Sequence, residues 1–460
     1  MTHAAWDYVF LGKDFDAAAC PGLTEEQLKP LRHEFNYWYP MDMRVSGKDL
    51  IRNHLTFSLY NHQAIFQDQK YMTKSYFCNG YLMLNNEKMS KSTGNFLTMD
   101  QCIEKYGSDA SRIALADAGD FLDDANFDEQ VANAAILKLF TLEQWIKDHV
   151  PKDCTSLAEA KANLDEWDQL ILNKLREINH QVKHSYTDMK LKNVIKYGFN
   201  EMLSVKESYV IGKTNAPNPY VIMSYLVNLL IMMNPILPHF NQYCWTHYVL
   251  PWLKQVNECP EGVKITEVLG NAGWPTVNEA EISRVMINQF EYLQEAKSII
   301  RNALEKAKAG GKAKKKGKAD QPEKSLESCA VFVGLEYPEF QRKTIEIMTK
   351  YECKDGELVG DYMKEIRETI KGKESGIACK FAAFIAEQIK IQGKETALQL
   401  NLSWSEIELL EKSRAFLFEN MPTIKNISIM LNTDESAKAI ENSQQLREGA
   451  APGKPTVIYY

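Results

Sequence analysis

The chain has 460 residues, of which 45% are hydrophobic and 25% are charged, and its formal net charge is -7. This length leaves room for about three domains, and the composition is that of a folded protein, which excludes a disordered or collagen-like chain. The longest apolar run, residues 221–233, is shorter than the roughly 20 residues that cross a bilayer. We therefore expect no membrane-spanning segment and no membrane partner.

The first residues and the cysteines both favour the cytosol. Residues 1–7 have neither the basic start and apolar core of a secretory signal nor the composition of a transit peptide. The nine cysteines include no C-x-x-C pair, which predicts scattered thiols in a reducing compartment rather than a disulfide framework or a zinc site. We therefore expect a cytoplasmic protein with no metal site in this chain.

Residues 1–127 mix strand-like and helix-like segments. Residues 43–46 and 75–84 predict strands between helices, which is typical of part of an α/β unit. The aromatic segment 35–40 could stack on a nucleotide base, but packing in the core is the better interpretation. Thr98 and Gln101 have capping-box spacing and predict the start of a helix.

From residue 128 the hydrophobic period becomes helical. Apolar residues recur every three or four positions up to residue 202, and a longer apolar segment, 220–233, ends at Pro235 and Pro238. These patterns predict one helical bundle over residues 128–275.

The last part of the chain divides into two regions. Residues 276–324 predict a helix to about Ala307 and then a linker, because residues 306–318 contain seven lysines and three glycines. A solvated tether is the first interpretation of this linker, and a nucleic-acid contact is the alternative. Residues 325–460 predict a separate α+β domain. Its strands are expected at 329–333, 427–431 and 455–460, and its main helix is expected to present one face formed by Ile377, Phe381, Phe384 and Gln388.

The sharpest chemical signal is the string K-M-S-K-S at residues 88–92, which follows a strand-like segment and precedes Thr-Gly-Asn. Two ammonium groups three residues apart, among hydroxyl groups, form a mobile cationic loop that can close on a polyphosphate. When a carboxylate attacks the α-phosphate of ATP, charge builds on the departing pyrophosphate, and lysines that bind it best in the transition state raise the rate. A solvated Lys/Ser turn is the alternative, but the flanking residues favour a nucleotide loop.

This string is the signature of the class I aminoacyl-tRNA synthetases, and the flanking sequence narrows the resemblance. The segments R-V-S-G-K-D-L at 44–50, A-L-A-D-A-G-D at 114–120 and D-A-N-F at 124–127 resemble the cytosolic leucyl-tRNA synthetases of eukaryotic and archaeal type. The segments N-P-I-L-P-H at 234–239 and Trp-Pro at 274–275 resemble the anticodon-binding part of the class Ia enzymes. The tail resembles their C-terminal extension, with weaker motifs.

The resemblance implies a multidomain chain that is α/β, then all-α, then α+β. Residues 1–127 would form the second half of a class I Rossmann catalytic domain, and residues 128–275 the helical anticodon-binding domain. Residues 276–324 would form a helix and a Lys/Gly-rich linker, and residues 325–460 a small C-terminal α+β domain.

The resemblance also implies a phosphate-binding set. Lys88 and Lys91 would hold the β- and γ-phosphates of ATP, and Lys91 is the stronger candidate for stabilising the transition state. Ser90 and Ser92 would complete this set. ATP would enter as a substrate together with Mg²⁺.

A second implied set binds the nucleoside. Gly47 and Asp49 match the G-x-D element that approaches the adenylate ribose, where a small residue allows close approach and a carboxylate accepts from hydroxyl groups. Asn79 and Gly80 match a segment whose backbone lies against adenine, although an Asn-Gly pair is equally typical of a turn at the end of a strand.

A class I active site also needs the signature H-x-G-H, and none of the nine histidines is followed by this Gly and His. The family's editing domain is not represented in the sequence either. These departures predict a partial enzyme of leucyl-tRNA synthesis that is inactive alone. A non-catalytic tRNA-binding or protein-interaction scaffold is the alternative.

The resemblance finally implies the partners of the chain. These are tRNA(Leu), leucine and ATP, with other synthetases or signalling GTPases as protein partners of the C-terminal domain.

Overall fold

The computed structural model of the chain describes residues 1–90, 92–152, 154–314, 326–419, 421 and 423–460. The first 127 residues contain helices and strands in alternation. In chain order these are α1 (His3–Phe10), α2 (Glu25–Trp38), β1 (Arg44–Gly47), α3 (Thr56–Phe66), β2 (Tyr76–Asn79), β3 (Leu82–Leu84), β4 (Glu87–Lys88), α4 (Met99–Tyr106), α5 (Ser108–Ala118) and β5 (Ala125–Phe127).

The strands form two small sheets. β1 and β2 are parallel, and a second sheet has the order β4-β3-β5, in which β3 is antiparallel to β4 and parallel to β5. The prediction of one strand over residues 75–84 was therefore wrong, because the chain leaves one sheet and enters the other at Gly80. A Cβ atom on Gly80 would lie 2.1 Å from the carbonyl oxygen of Asp123, so this crossing requires glycine.

The two local predictions for this region had different outcomes. The capping box at Thr98 is confirmed, since the Thr98 hydroxyl accepts from the Gln101 N–H and the Gln101 side chain accepts from the Thr98 N–H. The aromatic segment was expected in the core, but Tyr37 is 71% exposed and Trp38 is 69% exposed. Both lie at the end of α2, off the helical face on which Leu28 is buried and Phe35 packs against α1.

The face of β1 and α3 is rich in exposed apolar side chains. Val45, Phe57, Tyr60 and Ile65 are each more than 60% exposed. Parallel strands are normally covered on both faces, whereas among the described residues this face is left open.

Eight helices follow, and together they form the predicted bundle region. They are α6 (Glu129–His149), α7 (Leu157–Ala162), α8 (Glu166–Thr187), α9 (Leu191–Val194), α10 (Met202–Gly212), α11 (Pro219–Met233), α12 (Pro238–Cys244) and α13 (Leu250–Val256). Every residue of α11 from Tyr220 to Met233 is buried, and α8 packs against it. A helix that is apolar on all sides is expected at the centre of a bundle.

Helix α5 joins the α/β part to the bundle. The Arg112 guanidinium donates from Nε to the carbonyl oxygen of Ile236 (2.8 Å) and from Nη2 to that of Pro235 (2.7 Å). The Asp109 carboxylate accepts from the N–H of Phe240 in the first turn of α12 (2.6 Å). The N-P-I-L-P-H segment is therefore one of the places where the two parts contact each other.

Helix α14 (Arg284–Lys314) begins the last region and continues beyond Ala307, where the helix was expected to end. Residues 315–325, which include the end of the predicted linker, lie outside the described residues. The tail contains β6 (Ser328–Val333), α15 (Glu339–Thr349), β7 (Cys353–Lys354), β8 (Glu357–Leu358), α16 (Tyr362–Thr369), α17 (Lys373–Gln392), α18 (Lys394–Ala397), α19 (Glu406–Lys412), α20 (Arg414–Leu417), β9 (Asn426–Leu431), α21 (Glu435–Lys438), α22 (Gln444–Gly449) and β10 (Thr456–Tyr459).

The three expected tail strands form one sheet in the order β10-β6-β9, with β6 parallel to β9 and antiparallel to β10. The face predicted for the main tail helix was wrong. Ile377 and Phe384 are more than half exposed, and the buried face of α17 is formed by Ala378, Ala382, Ile385 and Ile389. The two faces differ by about one residue along the helix.

The tail packs against the bundle through α14 and α8. The Tyr459 hydroxyl donates to the carbonyl oxygen of Ile300 (3.1 Å), and the rings of Trp167 and Phe416 lie 5.4 Å apart. One apolar core therefore extends from the bundle into the tail. In the described part of the chain, no helix combines the length and the apolarity that crossing a membrane requires.

Candidate functional site

The carboxyl ends of β1 and β2 meet at one edge of their sheet. Gly47 and Asn79 are opposite each other at the last paired position. Gly80 follows Asn79 directly, and Asp49 follows Gly47 after Lys48. A Cβ atom on Gly47 would lie 2.7 Å from Oδ1 of Asp49, so the carboxylate folds back over the glycine. Ligands of open parallel sheets bind outside the carboxyl ends of the strands, which makes this edge the candidate nucleotide site.

Three residues that the sequence analysis did not select connect this edge to the second sheet. The Lys48 ammonium lies 2.5 Å from Oδ1 of Asp124, and the same oxygen accepts from the N–H of Tyr81 (2.8 Å). The hydrogen bond from Lys48 lowers the pKa of the Asp124 carboxyl from its usual value. Lys48 lies in the R-V-S-G-K-D-L segment and Asp124 lies in the D-A-N-F segment. The ion pair between them depends on tertiary structure.

Lys88 reaches this edge through a tight hairpin. Asn85 and Asn86, between β3 and β4, have φ angles of 51° and 65°, which is the conformation of a type I′ turn. The Lys88 ammonium lies 5.6 Å from the centre of the Tyr81 ring, and the Lys48 ammonium lies 4.6 Å from it. Because Lys48 is paired with Asp124 and Lys88 forms no ion pair among the described residues, Lys88 is the cation beside this ring that stays available to an anionic ligand.

The loop after β4 is a closed turn. The N–H of Ser90 donates to the carbonyl oxygen of Asn95 (2.9 Å), and the hydroxyl groups of Ser90 and Ser92 lie 2.8 Å apart. Gly94 has a φ angle of 74°, which favours glycine. Lys91 lies outside the described residues.

The candidate residues therefore divide into two groups. Gly47, Asp49, Asn79, Gly80 and Lys88 lie around one edge, and Ser90 and Ser92 lie in the adjoining loop. Gly80 also has a structural reason to be glycine, because its backbone packs on that of Asp123. Its contact with adenine stays a prediction.

Glu129, at the start of α6, supports the hairpin that carries Lys88. Its carboxylate accepts from the Asn85 side chain (2.9 Å), from Lys105 (2.5 Å) and from the Tyr106 hydroxyl. The hydrogen bond from Lys105 is the main cause that lowers the pKa of Glu129 to about 2, and those from Tyr106 and Asn85 add to it.

The low pKa of Glu129 predicts a pH-dependent contribution to stability. The stabilisation should be fully present above about pH 4.5 and lost as the pH falls towards about 2, because only the ionised carboxylate is favoured in the folded state. Glu129→Gln should therefore lower the melting temperature at pH 7 more than at pH 3. Thermal unfolding of the wild type and Glu129→Gln at the two pH values checks this prediction. An equal difference in melting temperature at pH 7 and pH 3 would contradict it.

Two family models match parts of the chain. Residues 20–136 match the model "tRNA synthetases class I (C) catalytic domain", and residues 168–319 match "Anticodon-binding domain of tRNA ligase". Over these two regions the chain is therefore homologous to the class I aminoacyl-tRNA synthetases.

Similar proteins of known name show which enzymes of this class the chain resembles. The chain is 33% identical over 469 residues to the cytoplasmic leucine--tRNA ligase of Pongo abelii, covering 100% of this chain and 37% of that protein. It is 32% identical over 476 residues to the same enzyme of Saccharomyces cerevisiae, covering 100% of this chain and 41% of that protein. Within its class, the chain is thus homologous along its whole length to part of the cytoplasmic leucine--tRNA ligases, and it spans about two fifths of their length.

A solved ternary complex of LeuRS, tRNA and LeuAMS from Agrobacterium radiobacter K84 is also similar, at 18% identity. The similarity covers 53% of this chain and 30% of that chain, with a TM-score of 0.40.

Proposed function

We propose that the chain provides the phosphate-binding loop and the tRNA-binding bundle of an enzyme that activates leucine with ATP and attaches it to tRNA(Leu). The observation that carries this proposal is the convergence of Lys88 and Lys48 on Tyr81, beside the carboxyl ends of β1 and β2. Homology to the leucine--tRNA ligases supplies the amino acid, which the described site does not specify. Because those relatives are named cytoplasmic, we also place the chain in the cytoplasm.

In the proposed reaction the leucine carboxylate attacks the α-phosphate of ATP. A mixed anhydride forms, the bond to the β-phosphate breaks, and pyrophosphate leaves. Lys88 and Lys91 would stabilise the charge that builds on the leaving group, and Ser90 and Ser92 would donate to its oxygens. The 3′ end of the tRNA would then displace AMP from the anhydride.

The nucleoside would bind along the sheet edge. Asp49 is exposed and would accept from the ribose hydroxyl groups, while Gly47 would allow the close approach. Asn79 and Gly80 would present their backbone to adenine.

Magnesium would enter with ATP rather than occupy a protein site. Asp124 is engaged by Lys48 and Tyr81, whereas the exposed Asp49 forms no ion pair among the described residues. One carboxylate does not form a Mg²⁺ site without phosphate oxygens, so the residues present do not fit a resident ion.

We propose that the bundle binds tRNA through its lysines. Lys183, Lys192 and Lys196 are exposed and form no ion pair among the described residues, whereas Lys190 pairs with Asp188 (2.9 Å). For the C-terminal domain, docking of other synthetases or signalling GTPases rests on the family resemblance alone.

The bundle lysines and residues 306–318 predict salt-dependent tRNA binding. Each phosphate neutralised should add about 0.7 to 0.9 to the slope of log affinity against log salt concentration. Replacing Lys183, Lys192 and Lys196 by glutamine should therefore reduce this slope for tRNA(Leu), and the paired Lys190→Gln should change it less.

Replacing the seven lysines of residues 306–318 separates the two interpretations of that segment. A smaller slope would favour a nucleic-acid contact, and an unchanged slope would leave a tether. Absence of tRNA binding at about 50 mM salt would contradict the proposed tRNA-binding role.

The alternative function is a non-catalytic tRNA-binding or protein-interaction scaffold. Leucine-dependent exchange of pyrophosphate into ATP distinguishes the two when it is measured on a chimera. In this chimera, residues 1–460 replace the equivalent part of the S. cerevisiae enzyme. The proposed function predicts exchange by the chimera and none by residues 1–460 alone, and a folded but inactive chimera would favour the scaffold.

A further inference from the structure

A second cluster of polar side chains lies on the bundle, outside the nucleotide site. His180 and His184 are one turn apart on α8, with ring centroids 4.3 Å apart. Oε1 of Glu279 lies 3.2 Å from Nδ1 of His180. One ligand atom from each of these residues lies within 4.8 Å of the others, and the described part of the chain contains no other such group of three.

The segment that carries Glu279 is fixed to α8 by its backbone. The N–H of Ser283 donates to Oδ1 of Asn173 (2.8 Å), and the Asn173 amide donates back to the carbonyl oxygen of Ser283 (2.9 Å). The short 3₁₀ turn Glu279–Glu281 begins at Asn278, whose side chain accepts from the N–H of Ala280 (3.2 Å). The carboxylate is therefore held near the two rings by contacts that do not involve it.

We infer that His180, His184 and Glu279 form a binding site for a divalent transition-metal ion, with Zn²⁺ as the best match. Two imidazole nitrogens and one carboxylate oxygen are a ligand set that Zn²⁺ accepts at about 2.0 to 2.2 Å, with water in the fourth position. Mg²⁺ and Ca²⁺ prefer oxygen ligands alone. The side chain of Glu279 is 71% exposed and His184 is exposed, so small rotations can close the site.

The site would connect two regions of the chain. Its histidines belong to the bundle, and Glu279 precedes α14, which packs against the tail. Binding of Zn²⁺ should therefore stabilise the folded state and hold the start of α14 on α8. The sequence analysis expected no metal site because it considered the cysteines, whereas the signal is the H-x-x-x-H spacing at 180–184.

Calorimetric titration of residues 1–460 with ZnCl₂ tests the inference. We expect one Zn²⁺ per chain, with affinity lowered at least about tenfold in His184→Ala and in Glu279→Gln. His33→Ala, which removes an exposed histidine on α2, should leave the affinity unchanged. Far-UV circular dichroism confirms that the variants are folded. No binding by the wild type, or equal affinity in His184→Ala, would overturn the proposal.

Cobalt distinguishes this site from binding by the free cysteines. Co²⁺ bound by histidine and carboxylate should give visible absorption without the near-ultraviolet band of a thiolate ligand. In addition, the same concentration of Zn²⁺ should raise the melting temperature of the wild type more than that of Glu279→Gln. A thiolate band, or an equal rise in both proteins, would overturn the assignment to these three residues.

Discussion

Replacing Lys91 by alanine in the chimera is expected to lower the rate of leucyl-adenylate formation about 10²- to 10³-fold, with little change in ATP affinity. The reason is that the ammonium group is proposed to act on charge that develops on the departing pyrophosphate, and not on bound ATP. An interaction that is made only in the transition state lowers the rate constant, whereas uniform binding appears in KM alone.

Single-turnover measurement of adenylate formation at several ATP concentrations separates these two quantities. Lys74→Ala is the matched control. Its ammonium pairs with Asp42 (2.5 Å) next to the amino ends of β1 and β2, away from the proposed phosphate site. A Lys91 variant with weaker ATP binding and an unchanged rate constant would contradict the proposed role.

Asp168→Ala is expected to lower the free energy of unfolding by about 3 kcal/mol or more. Asp168 is fully buried near the start of α8. Its carboxylate accepts from the Lys213 ammonium (2.7 Å) and from the Tyr209 hydroxyl (2.7 Å). Removing it leaves the largely buried Lys213 with Asp165 alone, and leaves the Tyr209 hydroxyl without its acceptor.

Asp188→Ala, at the other end of α8, is the matched control for this prediction. Asp188 pairs with Lys190, and the two side chains are 54% and 45% exposed. Exposed ion pairs contribute at most about 1 kcal/mol, so this variant should unfold close to the wild type in urea. Equal losses in the two variants would show that burial of the Asp168 pair has no special effect.

The phosphate-binding role proposed for the loop can be inferred from the sequence because its residues lie in one short string. K-M-S-K-S gathers cations and hydroxyl groups within five residues, so no tertiary contact is needed to recognise it. The same holds for the bundle, whose helices follow from apolar residues at helical spacing, and for the tail strands β6, β9 and β10.

The network around Tyr81 could not be predicted in the same way. Lys48 and Asp124 are far apart in the sequence and meet because β3 pairs with β5 beside the sheet of β1 and β2. Pattern reasoning placed both residues in family segments, yet nothing local indicates that one carboxylate oxygen receives both Lys48 and the N–H of Tyr81.

The wrong predictions concern which face of a helix is buried and where a strand ends. They do not concern whether a helix or strand is present. The break at Gly80 depends on the approach of Asp123, which no local pattern contains. On α17 the small residues Ala378 and Ala382 are buried while Phe384 is exposed, so a reading by side-chain size selects the wrong face. Tyr37 and Trp38 were expected in the core as the approach to a buried strand, but they lie at the exposed end of α2.

The most direct test of the proposed function is attachment of labelled leucine to tRNA(Leu) by the chimera. Here residues 1–460 supply the loop and the bundle, and the S. cerevisiae part supplies the remainder. We predict leucyl-tRNA from the chimera, none from residues 1–460 alone, and severely reduced charging when Lys88 and Lys91 are both replaced by alanine. A folded chimera that charges tRNA(Leu) equally well without these two lysines would contradict the proposal that this chain provides the phosphate-binding loop.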